Sequence, residues 1–216
     1  MITGNDITNV LELAAESLIA MRDQLNELDA AMGDGDCGLT AEKGANGLKT
    51  YLAQNPADDN LGKWLAKAGM AYNRAAPSTM GALMATALMR AGKEVMGKAE
   101  LEDNDIGKML KAASLGIQER GKAKVGDKTI VDALDPAADA MQAALENGEN
   151  LETAAKAALL AAQKGRDSVI EVRSMIGRAN WVGDKTKGKV DPGTVLFVGM
   201  LEAILKLPPS QPGSTL

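Results

Sequence analysis

Apolar residues recur every three or four positions along most of this chain, and that period confines the fold to packed helices. Between Asp6 and Leu28, the residues Val10, Leu11, Ala14, Leu18, Met21, Leu25 and Leu28 share one helical face. Asn5 or Asp6 is placed to cap this first helix. Similar patterns span residues 41–52, 61–74, 80–97, 105–120, 129–146, 151–165, 168–176 and 193–206. A period of two is sustained nowhere, so little or no strand is expected. About eight helices on short connections imply an all-α, antiparallel helical barrel or bundle. The side chains agree: 45% of residues are hydrophobic but only 2% aromatic, so the core must be built from Ala, Leu, Met, Val and Ile. Ala and Leu are the strongest helix formers, whereas sandwiches and barrels of strands draw on aromatic and β-branched residues. Residues 1–207 read as one domain, followed by a loose tail, 208–216, with the sequence PPSQPGSTL.

Several function classes fall away at this level. A formal net charge of −5 is wrong for a nucleic-acid module. No stretch approaches the roughly 18 uninterrupted apolar residues of a membrane span. The single cysteine, Cys37, excludes an internal disulfide, and no secretory signal precedes the first helix, so a reducing, cytoplasmic setting is expected. The chain has no histidine at all. It therefore supplies no histidine base, no Ser-His-Asp triad and no imidazole to a metal.

The 23 glycines gather at helix ends, notably Gly33, Gly35, Gly38, Gly81, Gly121, Gly126, Gly177, Gly183, Gly188 and Gly193. Glycine lets a backbone approach a ligand closely, and helix N-termini suit phosphates. The tetrapeptide GDKT occurs at 126–129 and again at 183–186 without a repeat in its flanks, which suggests two similar loops.

The sharpest chemical signal is LDAAMGDGDCGLT, where Asp29, Asp34 and Asp36 lie within eight positions. Carboxylates this close repel one another, and a hard divalent cation with oxygen ligands relieves the repulsion. The spacing sets Asp34 and Asp36 on one side of an extended turn, with Asp29 about one helical turn earlier and able to face them. Three carboxylates with one magnesium ion keep a charge of −1 and repel a phosphate; with two ions the charge is +1 and attracts it. A two-magnesium cluster that binds phosphates through its metals therefore fits, a mode suited to phosphoryl transfer. A solvated acidic turn with helix-capping aspartates is the plain alternative. A calcium EF-hand fails, because Gly38 and Ala45 stand where ligands are required. GKAKVGDKT, at 121–129, is not a P-loop, because Asp127 interrupts its Gly-Lys pair and the segment follows a helix.

LDAAMGDGDCGLTAEKG, read with PSTMGALMATALMRAG, GKAKVGDKTIVDALDPA and GRANWVGDKTKGKVDPG, resembles the nucleotide-binding L subunit of dihydroxyacetone kinase, DhaL, in the same order and over essentially the whole chain. The resemblance implies a barrel of antiparallel helices with a nucleotide, ADP or ATP, at one end. Asp29, Asp34 and Asp36 would ligate two magnesium ions that bridge its phosphates. Cys37, Gly38, Leu39 and Thr40 would follow against the nucleotide, and Thr79 and Met80, before Gly81, would open a further helix onto it. Gly121 and the neighbourhood of Ile130 would line the adenine side. Arg178, Asp191, Pro192 and Gly193 would complete the pocket. Trp64 and Trp181 are expected to pack, and Lys122, Lys124, Lys128 and Lys185 to be solvated.

The chain departs from the family at two places. Cys37 stands where histidine is common, and Thr79 and Met80 where serine often occurs. The resemblance also implies a separate K-type subunit that holds dihydroxyacetone or another short ketose, with the L subunit presenting the nucleotide. Two donors stay open: exchangeable ATP, or bound ADP rephosphorylated by an M-type protein of the phosphotransferase system. A non-catalytic regulatory module and association of two copies of the chain also stay open.

Overall fold

The computed structural model describes residues 1–206 and consists of ten α-helices and one 3-10 turn. They are α1 (Gly4–Ala20), α2 (Arg22–Ala30), α3 (Cys37–Gln54), α4 (Leu61–Ala75), α5 (Thr79–Glu94), α6 (Asp103–Gly121), α7 (Val131–Glu146), α8 (Leu151–Ser168), α9 (Gly177–Val182), a 3-10 turn (Gly183–Thr186) and α10 (Pro192–Leu205). The expected tail, 208–216, lies outside the described residues. Among those described, the only strand-like pairing is a bridge between Ile2 and Leu101.

The helices begin where short polar side chains can take up free backbone N–H groups. Asn60, Ser78, Asn150 and Asp191 accept from the N–H three residues on, capping α4, α5, α8 and α10. At α1 the cap is Thr3, not Asn5 or Asp6. Asp6 instead closes a reciprocal box by accepting from the Thr3 N–H at 2.8 Å.

Each long helix lies against the next, and α10 returns to pack between α8 and α1, closing a ring of α1, α3 to α8 and α10. The ring closes because small residues let helices meet. Ideal Cβ atoms on Gly62 of α4 and Gly92 of α5 would lie 2.3 and 2.5 Å from each other's carbonyl oxygens. In α7, Pro136 lacks the N–H that would bond to the Asp132 carbonyl. That carbonyl is covered by Gly165 of α8, where a Cβ would collide with it. The core is correspondingly rich in alanine and leucine, in two clusters that meet at Ile106, Ile130 and Met200.

Two expected helices differ. The 6–28 helix breaks at Met21, where Met21 packs over Gly199 and the Ser17 hydroxyl donates to the Gly199 carbonyl at 3.1 Å. The break seats α2 against α3. The expected 168–176 helix is absent: after α8 the chain turns and runs irregularly to α9. There the carbonyls of Ile170 and Val172 accept from the Lys128 ammonium instead of from helical N–H groups.

Because successive helices alternate in direction, the turns 31–36, 76–78, 122–130 and the connector 169–191 all collect at one end. The opposite end holds Ile2 paired with Leu101, and Leu61 bonded to Lys98.

Candidate functional site

The three aspartates occupy the turn between α2 and α3. Each offers a carboxylate oxygen, and these oxygens lie within 4.8 Å of one another. Local bonding explains how three acids are held together. One oxygen of Asp29 accepts from the N–H groups of Asp36 and Cys37, at 3.0 and 3.2 Å, so Asp29 closes the turn and caps α3 at once. Asn26 adds a bond from the Leu39 N–H at 3.0 Å. Asp36 stands at the N-cap position of α3, yet its side chain makes no capping bond. The reading of these residues as helix-capping aspartates therefore does not hold for Asp36, whose carboxylate is solvent-facing. Gly33 belongs to the same construction, because a Cβ there would lie 2.6 Å from Asp29 Oδ1.

Arg178 of α9 reaches this turn from the far side, pairing with Asp34 and lying 4.0 Å from Asp36. The pair is largely solvated, so it adds little stability. It does show that the 169–191 connector lies over the aspartates. On the same side, Gly193 opens α10 against Ile130, with a virtual Cβ 3.1 Å from the Ile130 N. Asp191 caps α10 through the Thr194 N–H at 2.8 Å and is buried. That burial, with Asp132 nearby, pushes its pKa up to about 7.

Residues 29–40, 130, 178 and 191–193 are thus brought around one end of the ring. Thr79 and Met80 stand in the first turn of α5 and Gly121 at the last of α6, facing the same end, with Gly121 near Leu83. Two members of the set are more enclosed than their motif suggests. Gly38 lies beneath α2, where a Cβ would meet the Arg22 carbonyl. Cys37 is 8% exposed and its thiol belongs to the core cluster. Burial, and the charges of Asp29, Asp191 and Asp36, raise its pKa to about 12. Its backbone N–H bonds to the acidic turn through Asp29.

Three expectations fail in this region. Trp64 is buried, but Trp181 on α9 is 92% exposed because α9 is too short to carry its own packing face. Lys122, Lys124 and Lys185 are exposed as expected, whereas Lys128 is 2% exposed. Its backbone is left-handed, with φ at 62°, and this turns the side chain inward. The two GDKT segments are accordingly unlike: the first is this turn, the second a 3-10 turn.

Hard oxygen donors grouped this tightly, with the Asp36 carboxylate making no capping bond, suit magnesium. The arrangement can hold a metal-bound phosphate.

A family model described as the DAK2 domain matches residues 31–206. The PEP-dependent dihydroxyacetone kinase 2, ADP-binding subunit DhaL, of Listeria innocua is 30% identical over 186 residues, covering 86% of each chain. Triokinase/FMN cyclase of Bos taurus is 29% identical over 202 residues, which are 94% of this chain but 35% of that protein. The chain thus spans about a third of such longer relatives. Among solved structures, the dihydroxyacetone kinase from C. freundii in complex with AMP-PNP and Mg2+ is similar, with a TM-score of 0.71 and 26% identity over 92% of this chain and 33% of that one.

Proposed function

The chain belongs to the DAK2 domain family, and from that premise we propose that it is the nucleotide-binding subunit of a dihydroxyacetone-type kinase. The observation that carries this reading is the Asp29, Asp34 and Asp36 cluster, held open by backbone bonds and faced by Arg178. Its donor set fits magnesium, and by charge balance two ions. Bound there, magnesium neutralises phosphate charge and supports in-line phosphoryl transfer.

The chain's own residues divide the remaining work. Asp29 holds the turn through the Asp36 and Cys37 N–H groups while keeping a second oxygen for metal. The backbone of residues 37–40 and the start of α10 at Asp191, Pro192 and Gly193 offer a close surface to the nucleotide. Thr79, Met80, Gly121 and Ile130 line the rest of the pocket, and Arg178 answers phosphate charge. Phosphoryl passes to a hydroxyl of dihydroxyacetone or another short ketose or triose, held by a separate K-type subunit. No histidine of this chain exists to bind the sugar. The donor is ATP, or bound ADP rephosphorylated by a phosphotransferase-system protein. Similarity to an ADP-binding subunit of a PEP-dependent kinase, matched over 86% of its length, favours the second.

Calorimetry with ADP, with and without magnesium, tests the site. Binding should require magnesium, and Asp34→Asn should weaken it by roughly tenfold or more, the scale of one lost charged ligand, with the helical circular dichroism unchanged. Undiminished affinity in the variant sinks the metal assignment. Binding without phosphorylation of dihydroxyacetone in the presence of any K-type subunit would instead favour a regulatory module.

A further inference from the structure

The connector 169–191 carries Arg178 yet has little regular structure of its own, so something outside it must hold it in place. Most of that hold traces to one residue. Lys128 Nζ donates to the carbonyl oxygens of Ile170, Val172 and Thr186 at 2.7, 3.0 and 2.7 Å. An ammonium has three protons to donate, and here all are taken by one segment 42 to 58 residues away. The three acceptors flank α9 on both sides, so a single side chain ties the two stems of the connector together. The Asp127 carbonyl adds a bond from the Met175 N–H at 3.0 Å. The stems are then joined to each other by Ser174 N–H to Thr186 Oγ1 at 2.9 Å, and by Gly188 N–H to the Ile170 carbonyl at 2.9 Å.

This arrangement is costly. The ammonium is 2% exposed and makes no ion pair among the described residues, and the backbone beneath it is left-handed, a conformation lysine rarely adopts. Burial holds its pKa below the usual lysine value. An apolar packing residue would avoid the costs of the buried, unpaired charge. What the lysine achieves that an apolar residue cannot is simultaneous bonding of three outward-facing carbonyls in a segment too irregular to bond them itself. With every proton engaged and the side chain enclosed, Lys128 has none to offer a ligand.

We propose that Lys128 is a positioning residue: it clamps both stems of the 169–191 connector and so sets Arg178 over the aspartate cluster, acting on the bound nucleotide only through that arginine. The inference rests on the nucleotide reading of the site.

Two measurements on the full chain separate the possibilities. Hydrogen exchange of Lys128→Met, which keeps the stem and removes the charge, should show faster exchange of the Ser174, Met175 and Gly188 amides, with α4 and α5 unchanged. Unaltered exchange there overturns the clamp whether or not the chain binds nucleotide. Calorimetry with magnesium-ADP on the wild type, Lys128→Met, Arg178→Ala and the double variant supplies the second. Each single change should weaken binding roughly tenfold, the scale of one charged hydrogen bond, and the double variant should bind no worse than Arg178→Ala. Additive losses, or an unaffected Lys128→Met, overturn the action through Arg178. A wild type that binds no nucleotide removes the reading of the site and the ligand half of the inference with it, while the exchange result still decides the clamp. Should Lys128→Met not fold, Thr186→Val, which cuts the Ser174 bond, must reproduce the same non-additive pattern or the proposal fails.

Discussion

At the scale of single residues, neighbours in sequence take opposite tasks. Asp36 turns its carboxylate to solvent, whereas the thiol of Cys37, the next residue, enters the core. The Cys37 N–H already donates to Asp29, so position 37 serves the proposed site by holding the turn, and a thiol can stand there as well as another buried side chain. Cys37→Ala should accordingly leave magnesium-ADP affinity unchanged in calorimetry. It should lower the melting temperature by a few degrees, the effect of about 1 kcal/mol of lost packing on a chain this size. A marked loss of affinity would show that the thiol itself serves the site. The aspartate trio was legible from spacing alone, because D-x4-D-x-D places charges faster than a short turn can separate them. Which of the three also builds the turn was not legible: Asp29 is chosen by the direction in which α2 ends.

At the scale of helices, the sequence period located nearly every element but not their interruptions. The break at Met21 and the loss of helix after Ser168 answer to contacts with Gly199 and with Lys128, both distant in sequence. Helix pairs are set by glycines at crossings, among them Gly62 and Gly92, whose backbones meet directly. Gly62→Ala should force α4 and α5 apart, because its Cβ would meet backbone that has no rotamer to yield. A cost of about 1–3 kcal/mol follows from such overpacking, read as a lower denaturation midpoint at unchanged slope. Gly97→Ala is not a fair control despite its open space, because φ there is 80°. An unaltered midpoint in Gly62→Ala would mean the helices slide without loss.

At the scale of the whole molecule, closure of the ring gathers the connections of one end and buries acids beneath them. Asp191, with a pKa of about 7, stands above the ordinary value of about 3.9 for an unfolded aspartate. Between those values the folded chain holds a proton that the unfolded chain has released. The stability it contributes is complete below about pH 4, declines as pH rises towards 7, and stays lost above. Asp105 and Asp135 oppose this trend, since Lys98 and Lys111 bonds lower their pKa values and their contribution fails in acid. Asp191→Asn keeps an oxygen for the Thr194 N–H but no charge to bury. Its melting temperature should exceed that of the wild type by about 4 °C or more at pH 8, with the gap narrowing towards pH 4. A gap independent of pH would show that Asp191 is charged at no cost.

The sequence by itself determined the all-helical ring, the acidic turn and the family, because periodicity, spacing and order are properties of a line of residues. Only the tertiary structure decided what surrounds that turn. The two GDKT tetrapeptides make the distinction plain. Lys185 in one is solvated, whereas Lys128 in the other is enclosed and bonded to the carbonyl of Thr186, which follows Lys185 in the same tetrapeptide. Identical local chemistry cannot separate them, because the difference lies in which carbonyls the ring closure brings within reach.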